Sequence, residues 1–166
     1  MGGAPARSRH RKGPRAPSGG YRVAHSWRRP MKDFVLDSWA LLCWLHNEPA
    51  AGAVEELWQG AGSGICALHM CILNLGEVFY ITVRRRGWPA AEHIDAYVRS
   101  RVHIHAVPND LVLRAASLKA SHPISYADAF AAVTALEMDA PLVTGDPEIR
   151  AMARTVPQLQ LHWLEN

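Results

Sequence analysis

From Asp33 onward, short apolar runs alternate with longer stretches of helical periodicity. "DFVLD", Asp33 to Asp37, is a continuous apolar run bounded by acids and predicts a buried strand. "SWALLCWLHNEP" follows as a helix, with Ser38 as its N-cap and Pro49 as its stop. "AAGAVEELWQ" predicts a second helix broken by "GAGSG", and "ICAL" a short strand. "MCILNLGEVFYITVRRRG" predicts a long helix closed by Gly87, and "WPAAEHIDAYVRS" another with Pro89 near its start. "VHIHAV" is a strand and "PNDLVLRAASLKAS" a helix. "ISYADAFAAVTALEMDA" is a helix capped by Ser125, with Asp128 three residues on. "PLVT", "PEIRAMAR" and "LQLHWL" complete the series as strand, helix and strand.

Alternation of this kind predicts an α/β domain with a mostly parallel sheet and helices on both faces. The strands are short apolar runs, as buried parallel strands are. Ligands of such sheets bind at the C-terminal ends of the strands. That rule gives four acids a meaning. Asp37 ends the first strand, and Asp146 follows "PLVT" in "PLVTGDPEI". Asp128 stands in the first turn of its helix, where the dipole favours a carboxylate. Glu77 is mid-helix among apolar neighbours, and Asn74 shares its face. Each has a bland alternative. Asp37 is a possible helix cap, Asp128 a capping-box acid, Asp146 a turn residue and Glu77 a solvent-facing one. Together, carboxylates brought to one sheet edge repel unless a cation neutralises them. Mg²⁺ suits one or two carboxylates with water and a substrate phosphate. Paired ions of this kind support phosphodiester cleavage. Neither GxxxxGK[ST] nor GxGxxG is present, which favours nuclease chemistry over nucleotide-dependent transfer.

Charge changes the picture in one place. The chain of 166 residues carries a formal net charge of +3. Residues 1–30 hold eight Arg and Lys and no acid, leaving 10 basic against 15 acidic groups in residues 31–166. The body is therefore acidic, and the basic total does not describe a nucleic-acid-binding surface. Residues 1–30 are also rich in Gly, Pro and Ser, so their composition predicts a disordered extension. Three roles stay open for it: a solvated tail, an arm on RNA phosphates, or sequence upstream of a natural start at "MKDFVLD". Residues 31–166 are expected to form one domain. The paired arginines before Phe34–Leu45 resemble an export signal, but Asp37 interrupts the run and its length is too short to span a bilayer. No membrane association and a cytoplasmic place are expected. Cys43, Cys66 and Cys71 are few, odd in number and lack C-x-x-C, which argues against a disulfide framework and against a zinc site. His103 and His105 share one face of a strand, with no third ligand close in sequence, and read as structural. Arg84 to Arg86 read as cations at a helix C-terminus, with phosphate contact as the other reading.

From about residue 32 to 164 the chain resembles the PIN domain, and in particular the VapC-like ribonuclease toxins of toxin–antitoxin pairs. The likeness rests on "FVLDSWALLCWL", "NLGEVFY", "HPISYADAFAAVTALEMDAPLVTGDPEI" and the order of elements, the third motif being long and specific. It implies a three-layer α/β/α sandwich and Mg²⁺- or Mn²⁺-dependent cleavage of RNA. It implies Asp37, Glu77, Asp128 and Asp146 as the acids of the site, with Glu77 reaching the metal directly or through water. Ser38 and Thr144 match hydroxyl residues that orient an acid or a water, Asn74 is a supporting residue, and Glu148 is an outer acid. It also implies a cognate antitoxin, seated near the helix that carries Trp39 and Trp44, and a homodimer. A housekeeping RNA-processing ribonuclease without antitoxin, and a non-catalytic RNA- or protein-binding domain, are the alternatives.

Overall fold

A computed structural model of the chain describes residues 1–2 and 32–165. The expected boundary at Met31, and nearly all of the basic stretch before it, lie outside these residues. The order of elements is β1 (Lys32–Leu36), α1 (Ser38–Leu45), α2 (Ala51–Gly62), β2 (Cys66–Cys71), α3 (Ile72–Arg86) and α4 (Trp88–Arg99), followed by β3 (Val102–His105), α5 (Asn109–Ser121), α6 (Tyr126–Met138), β4 (Leu142–Thr144), α7 (Pro147–Ala153) and β5 (Leu161–Trp163). The five strands form one sheet in the order β3-β2-β1-β4-β5. Every pairing in it is parallel.

Strand periodicity sorts the side chains into two cores. Phe34 and Leu36 of β1, Leu68 and Met70 of β2 and Val143 of β4 pack under α1 to α4 with Leu41, Trp58, Leu75 and Val98. Val35, Cys71 and Leu142 point the other way and pack with Phe130, Ile149 and Met152 beneath α5 to α7. The result is the expected three-layer sandwich. Both faces of the central strands are covered, which is why their sequences are apolar runs.

Several local expectations change. The N-cap of α1 is Asp37 rather than Ser38: Asp37 is extended (φ −85°, ψ 171°) and its side chain accepts from the Ala40 N–H. Ser38 is inside the helix and buried. The second helix runs on through Gly60 and Gly62 instead of breaking before them. A Cβ on Gly60 would lie 3.1 Å from the Cys66 Sγ, so glycine there lets β2 approach closely. β2 extends to Cys71, where "MC" read as the start of a helix, because all six of its residues are buried in the sheet. The capping box of Ser125 and Asp128 and the closure of α3 by Gly87 at φ 85° are found as expected. Arg84, Arg85 and Arg86 occupy the last turn of α3, in keeping with the capping reading. The three cysteines are free and buried. Among the described residues, no helix is long and apolar enough to cross a membrane.

Candidate metal centre at the C-terminal edge of the sheet

β2 and β3 lie to one side of β1, and β4 and β5 to the other. The chain order thus reverses between β1 and β4. A crevice opens at the C-terminal ends of strands at such a point. Asp37 leaves β1 at this place, and Thr144, Gly145 and Asp146 leave β4 beside it.

Asp37 is only 1% exposed. Its Oδ1 accepts from the Ala40 N–H at 3.1 Å, and its Oδ2 accepts from the Thr144 hydroxyl at 2.5 Å. Burial pushes its pKa up from 3.8 to about 7, the repulsion of Asp128 adds to the rise, and the bonds from Thr144 and Ala40 partly oppose it. Burial wins because a carboxylate loses more hydration than two hydrogen bonds return. The Thr144 hydroxyl also accepts from the Asp146 N–H at 3.0 Å. One hydroxyl therefore joins the exits of β4 and β1.

Asp128 is half-buried in the first turn of α6. Its Oδ2 accepts from the Ser125 N–H at 2.8 Å, closing the capping box. Asp146 is the N-cap of α7, and its Oδ1 accepts from the N–H groups of Glu148 at 2.6 Å and Ile149 at 3.4 Å. The bland and functional readings of these acids thus hold together, since each starts a helix. Asp37 differs in cost. A cap at the surface is inexpensive, whereas this one is sealed in the core.

Asn74 ties α3 to the site. Its Nδ2 donates to the Ser38 Oγ at 3.0 Å and to the Ala127 carbonyl at 3.1 Å. The Ser38 hydroxyl donates in turn to the Asn74 carbonyl at 3.3 Å. Asn74 is fully buried, and its Oδ1 has no partner. Sequence reading missed that Asn74 grips the residue next to Asp128. It missed the need for Gly145 as well. A Cβ on Gly145 would overlap the Trp39 ring and come 3.0 Å from the Leu164 carbonyl. The signal was present as Thr-Gly-Asp at a strand exit.

Glu77 lies one turn beyond Asn74 on α3, half-buried. It enters no ion pair among the described residues. Glu148 is exposed. The charge of Asp128 thus reaches Asp37, Thr144 links Asp37 to Asp146, and Glu77 stays on the adjoining helix. Among the described residues, no three His, Cys, Asp or Glu side chains are grouped closely enough to enclose a metal. The donor set still fits a hard cation that keeps most of its water, since Mg²⁺ needs only one or two carboxylates. A buried acid with a raised pKa, a second acid repelling it and an orphaned amide oxygen nearby are what such a cation relieves.

The family model described as "PIN domain" matches residues 34–155. No curated protein matches the chain in sequence. Several solved structures share the fold. VapBC2 of Rickettsia felis, bound to a DNA fragment from its promoter, is 16% identical with a TM-score of 0.59, over 80% of this chain and 99% of that one. DNA-bound VapBC from Salmonella typhimurium is 13% identical with a TM-score of 0.60, over 80% and 98%. VapC20 of Mycobacterium tuberculosis, described as a Sarcin-Ricin loop cleaving toxin, is 21% identical with a TM-score of 0.59, over 71% and 93%.

Proposed function

Because the chain belongs to the PIN domain family, we propose that it is a divalent-metal-dependent endoribonuclease, the toxin of a toxin–antitoxin pair. The observation that carries the reading is Asp37. An acid buried to 1% exposure at the switch point, with its pKa driven up to about 7 by that burial and further by the nearby charge of Asp128, is a charge in need of a cation. Nothing in the packing of the sheet requires a carboxylate there.

Mg²⁺ or Mn²⁺ would be held by Asp37, Asp128 and Asp146, with Glu77 reaching it directly or through water. When bound, such an ion supplies charge for the phosphate and lowers the pKa of a water. The protein's own groups prepare the place. Thr144 and the Ala40 N–H hold both oxygens of Asp37 in one orientation. Asn74 fixes the backbone at Ala127, and so the turn that presents Asp128. The Ser125 N–H leaves the Oδ1 of Asp128 as its open oxygen. Trp39 walls the exit of β4 at Gly145.

Support for an antitoxin comes from the VapBC complexes among the structural neighbours. Trp39 and Trp44 are half-buried rather than sealed, as a partner on this face requires. Trp44 stacks on Trp58 at 4.7 Å and donates to Glu55 at 2.7 Å, so α1 and α2 offer a rigid aromatic wall. A homodimer acting on RNA in the cytoplasm completes the reading.

The test is cleavage of total cellular RNA by the purified chain, freed of any partner, with Mg²⁺, Mn²⁺ or EDTA, beside Asp37→Asn and Asp128→Asn. Discrete fragments that need the metal and vanish in both variants are expected. Metal-dependent cleavage that survives both substitutions removes the assignment.

A further inference from the structure

α3 carries more than Asn74 and Glu77. Leu73, Glu77, Tyr80 and Arg84 recur at i, i+4, i+7 and i+11, so they stand on one face of the helix. That face begins beside the proposed centre, where Asn74 holds Ser38 and Ala127. Arg84 lies about 10 Å along the helix axis from Glu77. Leu73 and Tyr80 are exposed, at 42% and 45%. Arg84 lays its guanidinium over the Tyr80 ring, with the guanidinium carbon 5.2 Å from the ring centroid. Two other cation–aromatic pairs, Lys32 on Phe34 and Arg150 on Trp163, use rings that are buried or half-buried. Tyr80 is the exposed ring of the three.

The donors of Arg84 are unspent. Stacking on a ring uses one flat face of a guanidinium and none of its N–H groups. Among the described residues Arg84 pairs with no acid, whereas Arg99 and Arg114 are each held by a carboxylate. Arg85 flanks it on the α1 side, its Nη1 3.2 Å from the His46 Nδ1. Glu48 comes within 3.7 Å of His46 but pairs with neither arginine. The helix dipole accounts for cations in this last turn. It does not account for an exposed aromatic ring beneath one of them. Residues 31–166 hold more acid than base, so an RNA strand approaching the carboxylates needs cations placed close by.

Resting on the nuclease reading, we propose that this face of α3 is a track for single-stranded RNA beside the metal centre, with Tyr80 stacking an unpaired base and Arg84 holding a phosphate. Aromatic rings set among cations grip single strands because every base has a π-face and every nucleotide a charge. A paired base keeps both faces in its own stack, so the track admits unpaired strands and positions them without reading their sequence.

The purified full chain, freed of any partner, is titrated in EDTA against a short labelled oligoribonucleotide of mixed sequence, and anisotropy is followed over a range of KCl. Tyr80→Ala should weaken binding by about 5–100-fold, and Tyr80→Phe should keep it. Arg84→Gln should flatten the slope of log Kd against log salt by about 0.7, the signature of one lost phosphate contact. Trp88→Ala is the control. Trp88 is 63% exposed but packs on Phe79, on another side of α3, so its variant should bind as wild type does. Unchanged binding in Tyr80→Ala, an unchanged salt slope in Arg84→Gln, or an equal loss in Trp88→Ala overturns the track. So does unchanged RNA binding with an altered oligomeric state in gel filtration, which would give the face to a second copy. Cleavage with Mg²⁺, measured in parallel, separates the two readings. A chain that cuts RNA while both variants bind as wild type does keeps the nuclease and loses the track. One that binds as expected and cuts nothing keeps the track and loses the nuclease.

Discussion

Replacing Asp37 by Asn should stabilise the metal-free protein much more in alkali than in acid. The sign follows from the direction in which the pKa moves. Asp37 has a folded pKa of about 7 against an ordinary value of 3.8. Its ionisation therefore costs no stability below pH 3.8, costs progressively more as pH rises, and reaches its full cost above about 7. A rise of that size corresponds to ~4 kcal/mol, and roughly 2–3 kcal/mol of it develops between pH 5 and pH 8. Asn keeps an oxygen for the Ala40 N–H but leaves the Thr144 hydroxyl without its acceptor, a loss of ~1 kcal/mol at either pH. That loss cancels when the two conditions are compared. The assay is urea unfolding of wild type and variant in EDTA at pH 5 and pH 8. The variant's gain over wild type should be larger at pH 8 by roughly 2–3 kcal/mol. Added Mg²⁺ should raise wild-type stability at pH 8 and leave the variant unmoved. Equal differences at both pH values would mean that Asp37 is not a strained charge, and the case for the cation would lose its main support.

Other outcomes follow from single contacts. Gly145→Ala should destabilise by roughly 2–3 kcal/mol in a thermal melt, since the new methyl meets the Trp39 ring and the Leu164 carbonyl. Asp139 closes α6 in the left-handed region (φ 48°, ψ 41°), so Asp139→Gly should stabilise by ~0.5–1 kcal/mol in the same melt. Thr144→Val removes a bond that lowers the Asp37 pKa, so the pH profile of RNA cleavage should move to higher pH. Asn74→Ala frees the Ser38 hydroxyl and the Ala127 carbonyl, and should cost ~1–3 kcal/mol in urea unfolding while also lowering the cleavage rate through Asp128.

Much of the sheet edge was legible in the sequence because its signals are local. A five-residue strand followed at once by Asp, and Thr-Gly-Asp-Pro at another strand's exit, each place a side chain by chain direction alone. The capping box at Ser125 was equally local. What stayed hidden depends on partners distant in sequence. Asp and Ser stand side by side at 37 and 38, both able to cap, and Thr144 across the crevice helps fix Asp37 in place. Asn74 looked like a companion of Glu77, yet its bonds go to Ser38 and Ala127. His105 showed no partner in the sequence because His69, which it meets at 2.9 Å, joins it only through the register of β2 with β3.

Three acids of the proposed centre also begin helices. Asp37 caps α1, Asp146 caps α7, and Asp128 closes the box on α6. Selection for a stable fold and selection for cleavage therefore favour the same residues at 128 and 146. A lineage that abandoned catalysis would have reason to keep both. Position 37 is where the pressures oppose, since Asn or Ser would cap the helix equally well and shed the buried charge. In retired descendants of such an enzyme, the first acid to disappear should be the one at the end of β1.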